Sequence, residues 1–261
     1  DMVLARHKKI TKTGRTTANT TMRVLRLTLN YAKALGMIDS NPIKILSAAT
    51  LWHDNVRKDR IIPSDKLRAW YRAVIALSNI RARAYLLTAM YMGFRSGELL
   101  TIEWRHVNLT KKTIRLTDTK NGTNKTFPIP EALIPIIEEL QTITGDYKWA
   151  FTGDRPKTMT PEEVQHGKPM TAPAKPMRAV TKSTGIEFSP HDIRRTFATI
   201  AEAVGLPLTM IKRLMNHNTT NDVTGGYIVT EEETLRKAVN KVASYIQAKV
   251  TTESNLIQLH G

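Results

Sequence analysis

Between residues 113 and 130 the apolar residues change their period, and that change limits what the chain can fold into. On either side they recur every three to four positions, the spacing that lines one face of a helix. In TIRLTDTKNGTNKTFPIP (113–130) they alternate instead, with Asn121-Gly122 at the centre. That is the pattern of two short strands joined by a tight turn, here 113–118 and 125–129. The expected fold is mainly α with a small antiparallel β-sheet.

The helical segments have readable ends. In NTTMRVLRLTLNYAKALGMIDSNPI (19–43), Met22, Leu25, Leu29, Ala32 and Leu35 form an apolar stripe. Asn19 or Thr20 is the expected cap, and Gly36 followed by Asn41-Pro42 is the expected stop. One helix cannot bury such a stripe by itself, so 1–50 reads as the end of a helical domain. The chain opens on Asp1 rather than Met, and a fragment of a longer protein is expected. Residues 47–60 are polar and charged, and a linker at 51–60 is expected to lead into a second domain, 61–261. There, Ser64 should cap a helix at 65–77, and a second should run over 81–92. After the hairpin come a helix at 130–143 and a long loop over 152–183 holding one short helix. A helical stretch from 190 to 215 is split at Gly205-Leu206-Pro207. A last amphipathic helix over 231–250 has acids in its first turn, as the macrodipole prefers.

Charge narrows the function classes. Lys and Arg total 39 against 23 Asp and Glu, a net charge of +16. The first 60 residues hold 12 Lys/Arg and 4 Asp/Glu, so charge density is highest there. A surplus of this size favours polyanions, nucleic acid above all. No apolar run approaches the roughly 20 residues needed to span a bilayer, and no signal peptide is visible, so no membrane partner and a cytoplasmic, nucleoid-associated location are expected. With no cysteine, disulfides and thiolate zinc sites are excluded.

No Walker loop, Rossmann fingerprint or H-E-x-x-H motif occurs. Asn216-His217-Asn218 resembles a histidine nuclease motif only superficially, without grouped acidic ligands beside it, so neither a metal nor a cofactor is expected. His191 and Arg194 are three apart, and at a helix start they share a face fit to grip a phosphate. Arg95 follows Gly93 where a helix should end, and taken alone a structural ion pair with Glu98 is the better explanation of it. Lys120 sits beside the hairpin turn, where a solvated lysine is common. Trp104 and Phe197 are assigned to the core. Each signal is weak alone; the ordered set Arg95, Lys120, His191, Arg194, His217 and Tyr227 is not. It describes a phosphodiester site that works without metal. A tyrosine hydroxyl, with an ordinary pKa near 10, must lose its proton as it attacks phosphorus. Two arginines can hold the charge that builds on the phosphate oxygens. A lysine can protonate the leaving 5′ oxygen, and histidines can accept the tyrosine proton or bond a phosphate oxygen.

In this order the motifs resemble the tyrosine recombinases, the phage-integrase family, over roughly residues 22–246. MGFRSGELLTIEWRHVNL is similar to the first arginine box, TKNGTNKTFPIP to the hairpin with the catalytic lysine, HDIRRTFAT to the H-x-x-R box, and LMNHNTTNDVTGGYI to the closing box. LNYAKALGMIDSNPI resembles the end of the core-binding domain. The resemblance implies a catalytic domain preceded by that end. It implies that Arg95 and Arg194 clamp the scissile phosphate, Lys120 is the general acid, His191 assists proton transfer, His217 bonds a phosphate oxygen, and Tyr227 is the nucleophile of a covalent 3′-phosphotyrosine. Glu98 would orient the first arginine. The implied partners are double-stranded DNA, a homo-tetramer on it, and accessory DNA-bending or directionality proteins. The C-terminal helix, 231–248, would pack on a neighbouring subunit. Asn216 stands where L-G-H is usual; asparagine enters the left-handed backbone region more readily than most residues. Gly225-Gly226 would give Tyr227 slack. Lys125 competes with Lys120, because the sequence does not fix the hairpin register. Two other readings remain: a type IB topoisomerase with the same chemistry, and a non-catalytic helix-turn-helix regulator, suggested by the spacing of Ala201, Gly205 and Ile211.

Overall fold

The computed structural model describes residues 2–54, 59–117, 124–153, 168–217 and 231–251. Its contacts divide the chain into two units, Asp1–Lys58 and Asp59–Gly261.

The first unit contains α1 (Met2–Thr11), α2 (Arg15–Ala34) and α3 (Lys44–Ala48). Met22, Ile43 and Leu46 form its buried centre, with Val3, Leu4, Ile10, Leu29 and Trp52 packed around them. The helix expected to start at Asn19 or Thr20 begins earlier, after Gly14. Asn19 lies buried within it, and its amide is committed elsewhere: Nδ2 donates to the His53 carbonyl at 2.7 Å, and Oδ1 accepts from the His53 amide at 3.2 Å. The expected stop holds. Gly36 takes φ +70°, the left-handed conformation that ends a helix, and the Met37 amide donates back to the Ala32 carbonyl at 3.0 Å.

The second unit is built around α5 (Ile80–Met92), in which Ala82 and every residue from Ala84 to Met92 are buried. A helix apolar on all sides belongs at the centre of a core. Asn79 caps it, its Oδ1 accepting from the Ala82 amide at 3.0 Å. Around it pack α4 (Leu67–Ile75), α7 (Ile134–Thr144), α9 (Pro190–Ala203) and α11 (Glu232–Thr251). Edge-on aromatic pairs, Trp70 with Phe188, Tyr85 with Phe151 and Phe94 with Phe127, tie the layers together. Phe197 is fully buried as expected, whereas Trp104 is half-buried, with Nε1 3.2 Å from the Thr144 hydroxyl. Ser64 does not cap α4, which starts at Leu67; its hydroxyl lies 3.2 Å from that of Tyr245 on α11.

The strands of the expected hairpin pair with each other, and a third strand joins them in the sheet. β2 (Thr113–Leu116) pairs antiparallel with β3 (Lys125–Pro128), and β1 (Val107–Asn108) pairs with β2 on its other edge. Ile114 faces Phe127, and Leu116 faces Lys125. The Asn121-Gly122 turn lies outside the described residues. The stretch expected as a long loop contains α8 (Ala174–Thr184), whose prolines fall at its first turn, where no intrahelical N–H is required. The split near residue 205 is as expected: α9 ends at Ala203, Gly205 takes φ +77°, and α10 spans Leu208–Leu214.

The C-terminal helix has one face buried within its own chain. Ala238, Val239, Val242, Ala243, Ile246 and Val250 of α11 lie in the core, against α4, α9 and β3. Its apolar stripe is therefore covered within the chain. Full burial of each valine or isoleucine contributes about 1.5–3 kcal/mol, which fixes this helix firmly.

Candidate active site

The site is assembled where two helix ends meet. α5 ends at Gly93 with φ +62°. Only glycine suits this position, since a Cβ there would collide with the buried ring of Phe197. The turn sets Phe94 into the core and places Arg95 at the start of α6 (Ser96–Leu100). Glu98 closes this turn: Oε2 accepts from the Arg95 amide and Oε1 from Arg95 Nη1, both at 2.8 Å. The ion pair considered from the sequence is therefore present, and it forms one edge of a larger arrangement.

Arg194 comes from α9, whose start is fixed by a capping box between Ser189 and Asp192. Its guanidinium is buried, 3% exposed, and bridges both helix ends: Nη1 donates to the Gly93 carbonyl at 2.8 Å and Nη2 to the Met215 carbonyl at 2.7 Å. Nη1 also lies 3.9 Å from Glu98 Oε2. At the far end of α10, Asn216 takes φ +50°. Its carbonyl accepts from Arg95 Nη1 at 3.0 Å, and its Nδ2 donates to Glu98 Oε1 at 3.1 Å. Two arginines about a hundred residues apart in sequence thus share one carboxylate.

The electrostatics follow from this crowding of cations. Burial, and then the charge of Arg95, lowers the Arg194 pKa to about 10, with Glu98 opposing; the group stays charged at neutral pH. Burial, and then the charges of Arg194 and Arg95, hold His217 below the ordinary imidazole value, which favours the neutral ring. A neutral imidazole offers one N–H donor and one acceptor to a ligand.

Of the residues singled out from the sequence, Arg95, Arg194 and His217 are brought together around Glu98. His191 is exposed in the first turn of α9, one turn before Arg194. Lys120 and Tyr227 lie outside the described residues. Lys125 is half-buried on β3, on the strand face it shares with Phe127. Among the described residues no three His, Asp or Glu side chains group as a metal site, and no helix is long and apolar enough to cross a membrane. The sequence reading missed the Asn216 amide and the Gly93 and Met215 carbonyls. Only the asparagine in place of the usual glycine before His217 could have signalled them.

The phage integrase family model matches residues 61–233. A prophage integrase, IntF of Escherichia coli strain K12, is 24% identical over 206 residues, covering 77% of this chain and 42% of its own length. The tyrosine recombinase XerA of Pyrococcus furiosus is 27% identical over 148 residues, 55% of this chain and 49% of its own. The chain therefore spans half or less of the length of these relatives. Among solved structures, a lambda integrase tetramer bound to a Holliday junction superposes with a TM-score of 0.62 at 18% identity, over 88% of this chain and 66% of that one. At that identity the likeness concerns the fold: the mainly helical architecture with its small antiparallel sheet.

Proposed function

Because the chain belongs to the phage integrase family, we propose that it cuts and rejoins DNA at specific sites through a covalent 3′-phosphotyrosine, in the integration or excision of a phage or other mobile element. The observation that carries this reading is the convergence of Arg95, Arg194 and His217, from three distant segments, around Glu98. Arg194 is already fixed by two carbonyls, so it needs little reorganisation to meet a phosphate. Arg95 is half-exposed, so its guanidinium is open to a second phosphate oxygen. His217 donates a hydrogen bond to the phosphate.

In the first step the Tyr227 oxygen attacks phosphorus and passes its proton towards His191. The P–O5′ bond breaks, and Lys120 protonates the departing 5′ oxygen; Lys125 is the rival for this role. The bond energy is kept in the phosphotyrosine, so a 5′ hydroxyl from a second duplex can reverse the step and join new ends. The substrate is double-stranded DNA. A homo-tetramer on two duplexes, assisted by DNA-bending or directionality proteins, is the working assembly, a reading supported by the lambda integrase tetramer on its junction. Residues 1–50 form the end of the core-binding domain, 51–60 the linker and 61–261 the catalytic domain.

A nicked suicide duplex carrying the element's crossover site tests this. The wild type should form a protein–DNA band that survives denaturation and is absent in Tyr227→Phe. No band from the wild type would overturn the reading in favour of a non-catalytic DNA-binding regulator. Relaxation of a plasmid lacking the site would instead indicate a type IB topoisomerase.

A further inference from the structure

Asn216 makes contacts that the chemistry above does not use. We propose that it is a positioning residue, whose side-chain amide keeps Glu98 in place when the Arg95 guanidinium turns from the protein to a substrate phosphate. The inference rests on the assignment of Arg95 to the phosphate.

Glu98 is largely buried, with a side chain 13% exposed, whereas that of Arg95 is 48% exposed. Glu98 Oε1 has two donors, Arg95 Nη1 at 2.8 Å and Asn216 Nδ2 at 3.1 Å. If Arg95 engages a phosphate, Oε1 loses its charged donor. A buried carboxylate oxygen left without its donor either pulls the arginine back or moves after it. Oε2 keeps the Arg95 backbone amide at 2.8 Å and lies 3.9 Å from Arg194 Nη1, so on Oε1 the Asn216 amide is the donor that remains. It is neutral, so it does not compete for the phosphate. It is 1% exposed on a fixed backbone, so it does not move away. Its orientation is set by chemistry, since the amide oxygen cannot face a carboxylate.

The backbone does not require this side chain. Asn216 sits at φ +50°, a conformation glycine adopts at less cost. The Asn216 carbonyl would still accept from Arg95 in a glycine variant. What glycine removes is the amide donor to Glu98.

Two variants separate positioning from structure: Asn216→Gly, which deletes the donor, and Asn216→Asp, which keeps the shape and replaces the donor with an acid. Single-turnover cleavage of the suicide duplex would be followed from about pH 5 to 8, with DNA affinity and melting temperature measured in parallel. Asn216→Gly should cleave about tenfold more slowly at saturating DNA, with affinity unchanged and a cooperative melt still well above the assay temperature. Asn216→Asp should be about 100-fold slower at the alkaline end, where two carboxylates face each other. As the pH falls the pair takes up a shared proton and the donor returns, so its rate relative to wild type should climb. Among the described residues, the charged groups facing Glu98 and the neighbouring His217 include Arg95 before α6, Arg194 on α9 and Lys212 at the end of α10. All but Asn216 are common to both proteins, so their titration largely cancels in the ratio. Wild-type cleavage by Asn216→Gly, or an Asn216→Asp ratio flat with pH, would overturn the inference while leaving the recombinase reading intact. Absence of cleavage by the wild type would overturn both.

Discussion

Gly93 shows how one residue can serve fold and site together. Its left-handed backbone ends α5, its missing side chain admits the Phe197 ring, and its carbonyl anchors Arg194. Gly93→Ala should lower stability by about 2–4 kcal/mol, combining overpacking with backbone strain, as chemical denaturation would measure. Arg194→Lys isolates the guanidinium. An ammonium cannot span the Gly93 and Met215 carbonyls with a rigid fork. The variant should lose about 100-fold in covalent-complex formation and about 1.5–3 kcal/mol in stability. The sequence exposed both arginines and the Glu98 partner of Arg95, but not the carbonyls that hold Arg194, because a carbonyl anchor leaves no mark on residue identity.

Among the elements, α9 owes its position to its first turn. Asp192 is buried and receives hydrogen bonds from the Ser189 amide and hydroxyl, from Arg60 Nε at 2.8 Å and from Arg195 Nη1 at 3.1 Å. Burial opposes ionisation, but the hydrogen bonds from Ser189 and Arg60 outweigh it and hold the carboxyl below its ordinary value. Its folded pKa is depressed, so its stabilisation is complete above the ordinary carboxylate range and is lost as pH falls through the folded value. Asp192→Asn should therefore cost about 1–2 kcal/mol at neutral pH and flatten the acid limb of a stability–pH curve. α11 packs against α9 from within the chain. Val242→Asp would bury an unpaired charge and should reduce stability by about 3–5 kcal/mol in a dilute thermal melt. A stability unaffected in dilute solution would mean that this face is not buried within the chain. The long elements α2 and α11 were legible from their periodicity, and α5 from its continuous apolar composition. The short ones, α3, α6 and β1, were not, since two to five residues carry too little periodicity to be distinguished from a turn.

For the whole molecule the governing quantity is the net charge of +16. If DNA is the substrate, much of the affinity comes from displaced counterions, and binding to a non-specific duplex should weaken by about 10³-fold between about 50 and 200 mM salt. A salt-independent affinity would argue against backbone contacts. The sequence by itself determined the period switch at residue 113, the helix stops at Gly36 and Gly205, and the order of Arg95, His191, Arg194 and His217. Those features depend on neighbours a few positions apart, where local backbone preference and hydrophobic spacing act. Only the tertiary structure decided that Glu98 is shared by two arginines, that Asn216 reaches it, and that α11 closes the core of its own chain. Those contacts join residues up to a hundred and more positions apart, and their geometry exists only once the core has packed and set the helix ends against each other.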